Sequence, residues 1–140
     1  MIGRACVKGC SVASLHLHRN DKRFVYIGRQ NARLKYAGIE ESVLANPFKI
    51  TVDRNRVRSI NLYRNWIREK ISIGNKSIIK ELQRIKTLED TYLNVYLACW
   101  CERNEPCHAD VLIDILHSWK IVQDAKAQAT YFTNSIREEK

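Results

Sequence analysis

Proline and glycine are scarce in this 140-residue chain, two and five residues respectively, which leaves little material for a linker or a low-complexity segment. No internal repeat is visible, and the length suits a single domain that buries a core without disulfide staples. No apolar run approaches the ~20 residues that a bilayer-crossing helix needs, so no membrane partner is expected. Met1 to Cys10 lacks the continuous apolar core of a secretory signal. A disulfide framework is absent too. The five cysteines are an odd set, and Cys99, Cys101 and Cys107 crowd into one short stretch. A secreted scaffold would spread an even number along the chain. Reduced thiols in a cytoplasmic protein are expected, serving metal binding, catalysis or packing.

Positive charge is abundant, and it is uneven. Residues 1–70 carry 15 Lys/Arg against 5 Asp/Glu, and residues 71–140 carry 9 against 10. The first half is therefore +10 and the second −1. Basic residues cluster from Arg19 to Lys35 and from Lys49 to Lys70. A field of one sign concentrates nucleotides, nucleic acid or phosphorylated metabolites; the bland alternative is a solvated face that aids solubility.

The apolar pattern predicts an α/β fold. Residues 1–10 read as an irregular, flexible N-terminal tail, and Ser11 to His18 as a short strand. Phe24 to Ile27 is a β-branched and aromatic run closed by Gly28, a second strand. Residues 29–51 hold no period and read as a long binding loop with one helical turn. Asp53 is a candidate cap for a helix whose stripe is Val57, Ile60, Tyr63, Ile67 and Ile71, stopped by Gly74. Ser77 to Lys86 is a further helix. Tyr92 to Cys99 is nearly all apolar or aromatic, as a central strand buried on both faces is. Pro106 suits the first turn of a helix that turns Val111, Leu112, Ile115, Leu116 and Trp119 inward, and Gln123 to Arg137 reads as a last helical segment. This order implies a small parallel or mixed sheet flanked by helices, Rossmann-like. The domain spans 11–122, with a helical C-terminal extension at 123–140. In such folds ligands gather at the carboxyl ends of strands, where Gly28-Arg29 and Cys99-Cys101 would both lie.

Chemistry is densest in Cys99-Trp100-Cys101…Cys107-His108. On extended backbone the period of two puts the Cys99 and Cys101 thiols on one face. Cys107 and His108 follow Pro106 at a helix start, where free N–H groups favour a thiolate. Two functional readings stay open. Cys99, Cys101, Cys107 and His108 could hold one zinc ion, although C-x-C with an adjacent C-H is not a common ribbon spacing. Alternatively Cys107 is a ligand-facing or nucleophilic thiol with His108 as its proton partner or phosphate contact. The third reading is plain core packing. Cys6 and Cys10 with His16 and His18 are expected to be incidental, and His117 structural.

Gly28 would let a ligand approach the backbone, and Arg29 would grip phosphate or carboxylate with two bonds. A plain turn explains the pair as well. Asn46-Pro47-Phe48 is either a turn or a rigid edge that sets an amide against a base. Arg56, Tyr63 and Trp66 share one helix, where the two aromatics are expected in the core. The ordered set Tyr26-Ile27-Gly28-Arg29, Ser42…Asn46-Pro47-Phe48, Arg56, Leu62-Tyr63-Arg64-x-Trp66, Leu97-Ala98-Cys99-Trp100-Cys101 and Cys107-His108-Ala109-Asp110-Val111-Leu112 resembles the DUF4326 family of bacteria, archaea and phages, over about Val12 to Leu116. It is more distantly similar to the DUF488 family in the Cys…Cys-His block, where Ala109 departs from that family's Arg. The resemblance implies the fold and the place of the site, and supplies no reaction.

These readings converge on a crevice formed by Gly28, Arg29, Asn46, Arg56, Cys99, Cys101, Cys107 and His108. There Arg29 and Arg56 hold an anion, Asn46 reads a polar edge, and Cys107 with His108 bind or act on a nucleotide or nucleoside. If the protein is an enzyme, a hydrolytic or transfer step is expected. The rivals are a zinc-stabilised nucleic-acid-binding module and an accessory protein without catalysis.

Overall fold

The computed structural model describes residues 1–101 and 104–119. Eight elements follow one another: β1 (Ile2–Cys6), α1 (Val12–Asn20), β2 (Phe24–Tyr26), α2 (Ala32–Tyr36), α3 (Arg56–Ser72), α4 (Lys76–Tyr92), β3 (Val95–Cys99) and α5 (His108–His117). The strands form one parallel sheet in the order β1-β3-β2, pairing Cys6 with Cys99 and Tyr26 with Ala98. The fold is the α/β class expected, with β3 central as its apolar run implies.

Side chains alternate across the sheet and divide the core in two. Val25, Ile27, Val95, Leu97 and Cys99 face α3, α4 and α5, meeting Tyr63, Ile67, Leu82, Ile85, Leu112 and Leu116. Ala98 faces the other way with Val7, and Leu15 of α1 and Leu34 of α2 cover that side. Helices thus bury both faces, as parallel strands require.

The first twenty residues differ from the sequence expectation at two places. Residues 1–10 are not an irregular tail, because Ile2–Cys6 is a sheet strand whose five side chains are all half-buried. Ser11 to His18 is helix α1 rather than a strand. Leu15-His16-Leu17-His18 mimics a period of two, yet only Leu15 is buried and Leu17 is 74% exposed. Ser11 settles the conformation by accepting from the Ser14 N–H at 3.1 Å, the usual cap of an orphan donor.

Smaller differences lie at the ends of elements. Asn55, not Asp53, caps α3 by accepting from the Arg58 N–H at 2.9 Å. Val57 therefore leaves the stripe and is exposed. Gly74, at φ 78°, does follow the end of α3. Helix α4 runs on to Tyr92, so β3 begins only at Val95. Pro106 precedes the cap residue of α5, Cys107, instead of opening its first turn. The helical segment expected at 123–140 lies outside the described residues.

Candidate functional site

Three strands ending on one edge bring Cys6, Ile27-Gly28 and Cys99 together, and α5 begins at that same edge. Cys107 caps α5. Its Sγ accepts from the Ala109 N–H at 3.4 Å, and the Asp110 carboxylate accepts from the Cys107 N–H at 3.1 Å. Asp110 also pairs with Arg4 of β1 at 3.2 Å. Strand β1 thereby helps to fix the start of α5.

The turn after β3 and this helix start carry the sulfurs into one cluster. The Sγ atoms of Cys99, Cys101 and Cys107 all lie within 4.8 Å of one another, and those of Cys99 and Cys107 are 3.2 Å apart. Next to them is His108, only 7% exposed. Its Nε2 lies 2.8 Å from the Ile27 carbonyl. A carbonyl can only accept, so Nε2 carries the proton and Nδ1 keeps a lone pair, 3.6 Å from Cys107 Sγ. The ring also stands edge-on to Tyr63 at 5.1 Å, and the Tyr63 hydroxyl donates to the Leu44 carbonyl at 2.6 Å.

Arg56, the first residue of α3, clamps the cysteine loop. Its guanidinium donates to Cys101 Sγ at 3.4 Å and to the Pro106 carbonyl at 3.2 Å, and pairs with Glu105 at 2.5 Å. Charge within the cluster follows these contacts. The neighbouring Cys107 and Cys99 thiols, together with the Arg56 donor, hold the Cys101 thiol well below the usual range. Cys107, whose thiol donates to Cys99 Sγ at 3.2 Å, is pushed up by Cys101, Cys99 and burial. Cys99 is raised too, chiefly by its link to Cys101. The helix start suggested Cys107 as the thiolate. The neighbouring Cys107 and Cys99 thiols, with Arg56 adding to them, lower Cys101 instead. Burial pushes the His108 imidazole down, toward its neutral form.

A cavity of about 260 Å³ adjoins the cluster, and Gly28, Arg29, Asn46, Arg56, Cys101, Cys107 and His108 all line it. Cys99 lies behind them, off its wall. The expected residues thus meet, but several are already engaged. The space above Gly28 is filled by Tyr26, since a Cβ there would lie 2.6 Å from the Tyr26 hydroxyl. That hydroxyl donates to the Arg29 carbonyl, and burial raises its pKa to about 12. Glycine at 28 therefore admits a side chain of this protein. Asn46 is held at both ends of its amide: Oδ1 accepts from the Phe48 N–H at 2.9 Å and Nδ2 donates to Ser59 Oγ at 3.0 Å. Arg29 is different, being exposed and without an ion-pair partner among the described residues.

Sequence reasoning missed Tyr26, Ser59 and Trp100 on the cavity wall, and Arg4 and Asp110 behind the cluster. Asp110 was legible, because an acid three residues after a cap is the capping-box pattern. Arg4 had no signal once its strand had been read as irregular.

Fold and site define a small parallel α/β protein with a three-cysteine centre at the carboxyl edge of its sheet. The family model described as Domain of unknown function (DUF4326) matches residues 14–118, and the chain belongs to that family. No curated protein and no solved structure matches it. Strand β1, with Arg4 and Cys6, lies ahead of the matched span. No helix among the described residues is long and apolar enough to cross a membrane.

Proposed function

We propose that this protein holds a zinc ion on Cys99, Cys101 and Cys107 and uses the adjoining cavity to bind an anionic ligand of the nucleotide class, gripped by Arg29. The carrying observation is the sulfur cluster at the wall of that cavity. Zinc–sulfur bonds near 2.3 Å in a tetrahedron imply sulfurs ~3.8 Å apart, so the cluster needs only small adjustments to close around an ion. Plain packing explains it less well. A hydrocarbon setting would not include a guanidinium and a helix-cap N–H within hydrogen-bond range of the sulfurs. In this reading Cys107 is a metal ligand rather than a nucleophile. His108 is a neutral imidazole fixed beside it by its bond to the Ile27 carbonyl.

The nucleotide assignment rests on the cavity. Arg29 supplies a cation, while Tyr26, Phe48 and Trp100 supply aromatic wall. Such a combination suits a phosphate attached to a base. A basic first half draws anions toward this part of the surface.

Atomic emission on protein purified without chelator should find about one zinc per chain, and Cys101→Ser should lose most of it. Less than about half an equivalent in the parent protein would sink the metal reading. Thermal shift against a nucleotide panel tests the ligand: stabilisation in the parent protein that is weakened in Arg29→Ala supports it, and no response to any nucleotide refutes it.

A further inference from the structure

We infer that the zinc centre has three protein ligands, and that its fourth position opens on the cavity to take an oxygen or nitrogen donor from an anion. This rests on the zinc reading above and goes beyond it, because structural zinc sites are closed by four protein ligands whereas reactive or ligand-binding ones keep a position free.

Three observations carry the inference. First, the compact ligand set consists of Cys99, Cys101 and Cys107 alone. His108 approaches Cys107 but stands outside that set. Its ring is held by the Ile27 carbonyl and Tyr63, and although Nδ1 faces Cys107 at 3.6 Å, the imidazole is not among the groups that lie within 4.8 Å of one another. Second, the cluster is sided. Cys101 and Cys107 line the cavity and Cys99 does not, which leaves the face away from Cys99 directed at the open space. Third, charge favours an anion there. A divalent ion with three thiolates is −1, and the Arg56 guanidinium at 3.4 Å from Cys101 is shared with Glu105, so the cation left to receive an anion is Arg29 on the cavity wall. A fourth thiolate would leave the centre negative, whereas an anion entering from the cavity meets Arg29.

Cys6 is the strongest rival for the fourth place. It pairs with Cys99 in the sheet register and shares with Cys101 and Arg4 a second cavity of about 350 Å³. That cavity lies on the β1 side of the cluster, so closure by Cys6 would leave the Arg29 cavity unconnected to the metal. The two arrangements predict different spectra.

The test uses full-length protein loaded with cobalt(II) in place of zinc, titrated with azide and, separately, with inorganic phosphate. Both anions should shift the cobalt ligand-field bands saturably by replacing a bound water. Zinc-edge absorption should fit three sulfurs and one light atom. Cys6→Ser and His108→Gln should keep the parent spectrum, and Arg29→Ala should keep it while weakening the phosphate response ~10-fold or more, as expected for loss of a charged hydrogen bond. Four sulfurs at the zinc edge, or bands that neither anion moves, would overturn the open position while leaving the zinc reading intact. A spectrum changed by His108→Gln in protein that neither anion shifts would identify the imidazole as the fourth ligand. Failure to bind cobalt or zinc at all would remove both.

Discussion

His108→Ala is the most direct probe of how the site is held. The imidazole bridges the end of β2 and the start of α5 through its 2.8 Å bond to the Ile27 carbonyl, and it rests edge-on against Tyr63. Alanine leaves that carbonyl without its partner in the interior, which costs about 1–3 kcal/mol. Loss of the aromatic pair adds about 0.5–1.5 kcal/mol. The sum is about 1.5–4.5 kcal/mol, and water entering the vacated space would draw it toward the lower end. For a domain of this size 3 kcal/mol corresponds to a fall of roughly 12 °C in Tm. The assay is urea unfolding followed by far-UV circular dichroism, with chelator present for both proteins so that metal loss contributes nothing. A difference below about 0.5 kcal/mol would refute the clamp and, with it, the assigned tautomer.

Three further outcomes are expected. Gly28→Ala must push the Tyr26 phenol off its seat, where a Cβ would meet the hydroxyl at 2.6 Å; a loss of about 1–3 kcal/mol is expected, and Tyr26→Leu in the same chain should recover part of it, so additive single and double variants would contradict the contact. Tyr63→Phe strands the Leu44 carbonyl and should cost about 1–3 kcal/mol in urea unfolding, while zinc content measured by atomic emission stays unchanged. For pH, burial holds the folded His108 pKa below its unfolded value of about 6.5. The unfolded chain therefore takes up this proton first. The stability of metal-free protein should be fully present above that pH and decline as pH falls toward the depressed folded value, with a shallower decline in His108→Asn; equal slopes would contradict the assignment.

What the sequence made legible was local or strongly periodic. The apolar runs before Gly28 and through Cys99 marked β2 and β3, and the 3-and-4 spacing of Ile60, Tyr63, Ile67 and Ile71 marked α3. The spacing of Cys99, Cys101 and Cys107 was enough to name the sulfur cluster, whereas His108, expected as a fourth ligand, stands outside it. Strand β1 was illegible because it is an edge strand with Gly3 and Arg4 in place of an apolar alternation, and its pairing with β3 is a contact across some ninety residues. Helix α1 was misread because a single buried leucine cannot establish a helical period. The roles of Gly28 and Asn46 were hidden for another reason. Each is fixed by what lies against it, Tyr26 in one case and Ser59 in the other, and those neighbours are known only once the chain is folded.

The uneven charge along the chain takes on a different meaning in the folded molecule. Read linearly, a +10 half followed by a nearly neutral half suggests a broad basic surface for anions. At the site, however, basic residues of the first half meet acids of the second: Arg4 pairs with Asp110, and Arg56 with Glu105. Both pairs secure the cysteine-bearing loop and the start of α5, and Arg56 also supports the sulfur at Cys101. Arg56, which the sequence offered for ligand binding, and Arg4, which it did not single out, are thus committed to building the centre. Arg29 differs from them physically, because it lines the same cavity, is exposed, and has no carboxylate partner among the described residues. A neutral replacement at Arg29 should therefore weaken an anionic ligand without disturbing the sulfurs, whereas one at Arg56 should loosen the sulfur centre before it affects any ligand.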